Sequence, residues 1–275
     1  MRQRSLSSLP SHFPCLAPST RQRFLHGIQF ARGTAETGVK IYFRMNKGRC
    51  IGLVGGLGVG AAVHYYSRLA AAHKQRDTQL DLVMAHADVP QAVGFVKAGD
   101  RAGLAAYLAG FLRRLAAAGA EFAVIPAVTP HACLDELRPI SPLPILSIFD
   151  PLIEHFSRNA IRRAAVFGTR YVMQSDLFGR LPGVEFVRVR PEELDEIDRI
   201  YTSIAESQRS TPEAYARLTE LAQVFSSRDG AETILLAGTD LALVFNETNT
   251  HFPAIDCAAL HLDAIVGAAL DCTDP

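Results

Sequence analysis

Gly119-Ala-Glu-Phe-Ala-Val-Ile-Pro-Ala-Val-Thr-Pro-His131 and Asp229-Gly-Ala-Glu-Thr-Ile-Leu-Leu-Ala-Gly-Thr-Asp240 read as one unit written twice. Each opens on a glycine turn that ends a preceding helix. Each continues as an apolar run of strand length and closes in a loop of small residues that carries a threonine. An unbroken apolar run this short fits a parallel strand buried on both faces by helices. Long amphipathic stretches precede both units, at 101–118 and at 191–208 with 211–226. Pro191 stands in the first turn of its stretch, where a missing N–H costs nothing.

The same plan extends outward from these two units. In the first half, Ile51-Gly-Leu-Val54 runs into Gly55-Gly56-Leu57-Gly58, followed by a helix over about 61–73 and strands at 80–87 and 144–148. In the second half, a strand at 163–167 runs into Gly168-Thr169-Arg170. A helix at 171–179, strands at 184–189 and 233–237, and a closing helix at 259–269 follow. This predicts an α/β fold of two similar domains, each a short parallel sheet flanked by helices, related by a pseudo-twofold. The expected boundaries are 45–145 plus 252–275 for the first domain and 146–251 for the second. Open α/β sheets bind ligands beyond the carboxyl ends of their strands. The site is therefore expected between the loops Ala127-Val128-Thr129 and Gly238-Thr239-Asp240.

Composition narrows the function classes. The 275 residues are 48% hydrophobic and 20% charged, enough to bury a sizeable core. No run approaches the ~18 apolar residues of a membrane span, so no membrane partner is expected. Residues 1–44 hold seven basic residues and one acidic residue, leaving 21 basic against 27 acidic from Met45 onward. A mildly acidic body argues against a nucleic-acid partner. The segment 1–44 has two readings, an organelle transit peptide or an upstream extension of a start at Met45. The expected location is cytoplasmic under the second reading and organellar under the first. The five cysteines show neither a C-x-x-C pair nor metal-ligand spacing, so free thiols and no metal site are expected.

Taken together, the loops resemble those of the aspartate/glutamate racemase family. Residues 119–131 are similar to its first signature and Leu236-Ala-Gly-Thr-Asp240 to its second. Ile51–Gly58 is similar to the opening glycine loop. Gly168-Thr-Arg-Tyr-Val-Met-Gln-Ser-Asp-Leu-Phe178 and the helix Glu193–Tyr201 resemble two further segments. The resemblance implies a cofactor-independent isomerase, a racemase of acidic amino acids, which pairs as a dimer. It also implies two cysteines facing each other across the cleft, one removing the α-proton and the other returning one. At those two positions this chain has Ala127 and Gly238, and Val128 replaces an asparagine. Pro90-Gln91-Ala92-Val93 lacks the arginine that some members use on a distal carboxylate. Two-thiol racemisation is therefore not supported.

A carboxylate-binding set is expected from Gly55, Gly56, Val128, Thr129, Thr169, Arg170 and Thr239. Asp240, His131 and His261 are the candidate acid/base groups. Each has a structural alternative: Asp240 as an organiser of loop amides, the histidines as satisfied core residues. Cys133 is read as a buried structural thiol, although it could approach the cleft, and Cys257 as part of a packed helix, although it could pair with His261 one turn away. Gly55-Gly56-Leu57-Gly58 is a weak dinucleotide match, and no cofactor is expected. Two functions compete. One is an enzyme acting at the α-carbon of a small amino or dicarboxylic acid, as racemase, lyase or isomerase with a base other than cysteine. The other is an inactive module that binds such an acid.

Overall fold

The computed structural model describes residues 48–270. The expectation for residues 1–44 lies outside the described residues. In chain order the elements are β1 (Ile51–Gly55), α1 (Val59–Gln75), β2 (Leu82–His86), α2 (Val89–Lys97), α3 (Arg101–Ala117) and β3 (Phe122–Val124). The short α4 (Leu134–Leu137) and α5 (Phe149–Arg158) follow. Then come β4 (Arg163–Phe167), α6 (Arg170–Gln174), β5 (Glu185–Phe186), α7 (Pro191–Ser207), α8 (Pro212–Asp229), β6 (Thr233–Leu236), β7 (Ala254–Asp256) and α9 (Cys257–Leu270).

Two sheets form, ordered β2-β1-β3 and β5-β4-β6-β7, with every pairing parallel. The central strands are the apolar runs that announce themselves in the sequence. β1 and β6 are buried at every residue. Helices cover them through side chains spaced for one face: Leu104, Leu108, Leu112 and Leu115 of α3 are all buried. Asp88 and Asp100 start α2 and α3 by accepting hydrogen bonds from the Gln91 and Gly103 amides.

Four elements differ from expectation. Residues 144–148 make only a parallel bridge, Ala123 to Ile145. Pro144 has no amide to donate, and the Ser147 amide donates to the Asp150 carboxylate, which turns the chain into α5. The helices α2 and α5 and the three-residue strand β7 were not anticipated, being too short for periodicity to register. β7 pairs with β6, so Ala254–Asp256 belongs to the second sheet. Ile255 is buried in the second half's core. The return to the first half comes with α9, whose Leu262, Ile265 and Val266 pack against Ile51 and Leu53.

Two fully buried histidines tie the layers. On α9, His261 Nε2 lies 3.0 Å from the Leu146 carbonyl and Nδ1 3.1 Å from the Tyr65 hydroxyl. A carbonyl only accepts, so Nε2 carries the proton and Nδ1 accepts from Tyr65. His131 donates from Nδ1 to the Ala127 carbonyl at 2.8 Å and accepts at Nε2 from the Ile148 amide at 3.3 Å. Both rings are thus neutral. Burial lowers the pKa of His131 to about 4 and that of His261 to about 3.

The turn after β1 requires glycine. Gly56 has φ +88°, and a Cβ there would overlap the Ala87 carbonyl oxygen and lie 2.8 Å from the Ala87 nitrogen. Gly56→Ala should lower unfolding free energy by about 2 kcal/mol or more; a urea midpoint equal to wild type would refute this. The histidines set a pH dependence. The unfolded chain protonates both rings near pH 6.5, whereas the folded chain does so only near 4 and 3. In that window the unfolded state binds more protons, so stability falls as pH drops from about 6.5 toward 4, by roughly 1.4 kcal/mol per pH unit per ring. The urea midpoint should decline steadily between pH 6.5 and 5, and a flat profile would contradict the assignment.

Candidate functional site

The loops that follow β1, β3, β4 and β6 open on one cleft of about 1130 Å³, with α2 and α7 as further walls. The two threonine loops meet there. The buried Thr239 hydroxyl donates to the Pro126 carbonyl at 3.3 Å and so ties the second loop to the first. Ala127, Val128, Thr129, Gly238, Thr239 and Asp240 all line the cleft. Thr169 and Arg170 line it from the second half.

The expected carboxylate-binding residues are occupied to different degrees. Thr129 is half-buried and lines the cleft, with no hydrogen bond from its hydroxyl among the described residues. The Thr169 hydroxyl caps α6 by accepting from the Val172 amide at 3.2 Å. Arg170 is exposed, and its guanidinium is paired with Asp195 at 2.6 Å and with Asp198 at 3.8 Å, both on α7. Its charge is largely answered within the protein. Gly55 and Gly56 do not line the cleft. Leu57 and Gly58, next in the same loop, do.

Sequence reasoning missed Tyr201. A Cβ built on Gly238 would overlap this ring, at 2.7 Å from Cζ and 2.8 Å from Cδ2. The ring of α7 therefore fills the volume that a side chain at 238 would take. From there the Tyr201 hydroxyl donates to Asp240 Oδ2 at 3.0 Å. The signal available was its position at the end of the Glu193–Tyr201 segment, on the helix face that meets the second loop.

Asp240 is buried, lines the cleft, and keeps Oδ1 without a hydrogen-bond partner among the described residues. Its carboxylate lies against the first turn of α1: a Cβ on Gly58 would stand 3.6 Å from Oδ2, and one on Gly60 3.0 Å from Oδ1. A helix N-terminus favours an anion there. Burial nevertheless raises the Asp240 pKa, and the Tyr201 hydroxyl, followed by the nearby Gln208 side chain and Ala61 amide, opposes that rise. Burial, and secondly the Asp240 charge, push the Tyr201 phenol well above its usual range.

The other expected acid/base groups stand elsewhere. His131 and His261 do not line the cleft, and both ring nitrogens of each are engaged as described above. Cys133 and Cys257 do not line the cleft either. Cys133 donates to the Pro130 carbonyl at 3.3 Å and Cys257 to the Leu236 carbonyl at 2.9 Å, both fully buried. Burial pushes the Cys133 thiol up to about 12 and the Cys257 thiol well up, so neither forms a thiolate near neutral pH. Among the described residues no cluster of His, Cys, Asp or Glu could hold a metal ion.

Solved structures share this architecture. A candidate Asp/Glu racemase from Yersinia pestis is 22% identical, with 81% of this chain and 100% of that chain covered and a TM-score of 0.71. An aspartate racemase homologue from Pyrococcus horikoshii OT3 is 22% identical over 80% and 99% of the two chains, with a TM-score of 0.69. Glutamate racemase from Francisella tularensis subsp. tularensis SCHU S4, in complex with D-glutamate, is 13% identical over 80% of each, with a TM-score of 0.57. At these identities the likeness speaks for the fold. The family model Asp/Glu/Hydantoin racemase matches residues 54–265, the whole cleft included, and this chain belongs to that family.

Proposed function

We propose that this protein binds a small carboxylic or amino acid in the cleft and exchanges a proton at the carbon beside the carboxylate through one group, the Asp240 carboxyl. The carrying observation is the chemistry of the lining. Among the described lining residues, only Tyr201 and Asp240 are both ionisable and buried, and they are bonded to each other. The family supports an acid as ligand, and one solved relative holds D-glutamate.

A two-thiol racemase needs a base on each face of the α-carbon. Ala127 and Gly238 stand where the resemblance places those thiols, and no described cysteine lines the cleft. On the Ala127 side, Thr129 offers a hydroxyl that can donate a hydrogen bond but does not titrate near neutral pH. On the Asp240 side a single base can work alone. Its carboxylate takes the α-proton, and the electron pair of the C–H bond spreads into the ligand's own carboxylate. The same carboxyl then returns a proton to the same face. Such a cycle exchanges hydrogen and retains configuration. The Tyr201 hydroxyl holds Asp240 in place through Oδ2.

A second reading, binding without chemistry, is favoured by the structural use of Asp240 beside α1 and Tyr201. In heavy water, the exchange reading expects deuterium at the α-position of a bound acid with configuration retained. Asp240→Asn should abolish it, and Tyr201→Phe should slow it. Because the Asp240 carboxyl is raised and must be ionised to act, the rate should fall on acidification at a pH above the ordinary carboxylate range. Racemised product would refute single-face transfer, and binding seen by calorimetry without label would leave the binding module.

The crowding at 238 gives a separate expectation. Gly238→Cys should destabilise by about 2 kcal/mol through overpacking against the Tyr201 ring. Combined with Tyr201→Ala, its cost should shrink by more than additivity allows. Strictly additive unfolding free energies would show that the ring does not hold that space.

A further inference from the structure

We infer that the acid taken by this cleft carries one carboxylate and a bulky apolar substituent, aryl or branched alkyl, seated against the exposed valines of α2. This rests on the cleft being an acid site, as proposed above, and specifies which acid.

The first observation is an apolar stripe with two uses. Val89, Ala92, Val93 and Val96 recur at helical spacing on α2, and all four line the cleft. Ala92 and Val96, with Phe95, pack on the first half's core and hold the helix in place. Val89 and Val93 take no part in that core and remain 37% and 36% exposed. Across the opening, Val59 lines the same cleft and is 55% exposed. Valines left in water on a concave wall are what an apolar ligand group covers, and a wall built only to hold α2 would not need them.

The second observation is charge. The cleft's basic side chains are Lys97 and Arg170. Arg170 is paired with Asp195 and Asp198, while Lys97 makes no ion pair among the described residues. Asp198, Glu206 and Asp240 add negative charge to the same walls. One unpaired cation matches one carboxylate. A second carboxylate would meet Ala92 and Val93, apolar groups that offer it no hydrogen bond and leave it desolvated.

Calorimetry on the full chain tests this with 3-phenylpropionate and 4-methylpentanoate against succinate and glutarate, and with 3-phenylpropionamide as the uncharged control. The apolar acids should bind at least about tenfold more tightly than the dicarboxylates, as expected for covering a ring or branched chain. Val93→Lys should weaken 3-phenylpropionate by about tenfold and reduce the preference. The milder Val89→Thr should act in the same direction, and it serves where Val93→Lys does not fold by circular dichroism. Lys97→Ala should weaken the acid and leave the amide unchanged. Tighter binding of the dicarboxylates overturns this inference and leaves the proposed function standing. No binding of either class overturns both. Apolar binding that ignores both valine substitutions overturns the assigned location.

Discussion

The ring of Tyr201 lies where a side chain at position 238 would otherwise point, and much of the site's character depends on that packing. Only a residue without a Cβ leaves room for the ring. Once seated, the phenol reaches Asp240 and occupies one carboxylate oxygen. The other oxygen is buried against the first turn of α1, without a close hydrogen-bond partner among the described residues. Where the family resemblance leads one to expect a sulfur, glycine at 238 thus leaves room for a buried phenol–carboxylate pair reached from a different helix. A buried carboxylate that keeps an unbonded oxygen carries a desolvation cost, and such costs are commonly tolerated where a ligand or a reaction uses the group.

The rest of the cleft is organised around fixed loops. The hydroxyl of Thr239 bonds the Pro126 carbonyl, so the two threonine loops are joined across the opening. His131 pins the first loop to the chain entering α5, and His261 pins α9 to α1 and Leu146. Both rings are neutral supports, each giving one proton and accepting one. A histidine with both nitrogens committed inside the core has neither an open position nor a suitable pKa for proton transfer at neutral pH. Their place in the sequence, near the signature loops, therefore reflects how those loops are held.

Much of the fold was legible because the decisive strands are buried on both faces. Residues 51–54, 163–167 and 233–237 are apolar without a break, and a run of that kind has few alternatives to a central parallel strand. The doubled glycine–strand–threonine unit located the cleft because each loop follows the carboxyl end of a buried strand, and both loops line the opening. Short elements were not legible. β7 has three residues and α2 nine, too few for a period to emerge, and with β7 went the point at which the chain leaves the second sheet.

The sequence by itself determined the sheet-and-helix order, the family resemblance and the place of the two loops, because these follow from local apolar patterning and from motifs in register. It also determined the lack of thiols at 127 and 238. Only the tertiary structure decided what stands in their place. Tyr201 lies 37 residues before Gly238 and Val93 lies 34 before Ala127, and no local rule brings either to those loops. Arg170 read as an anion site until packing set it beside Asp195 and Asp198, and the histidines read as candidate bases until the core closed around them. Side-chain availability is a property of what packs alongside, and that is settled by contacts between segments distant in the chain.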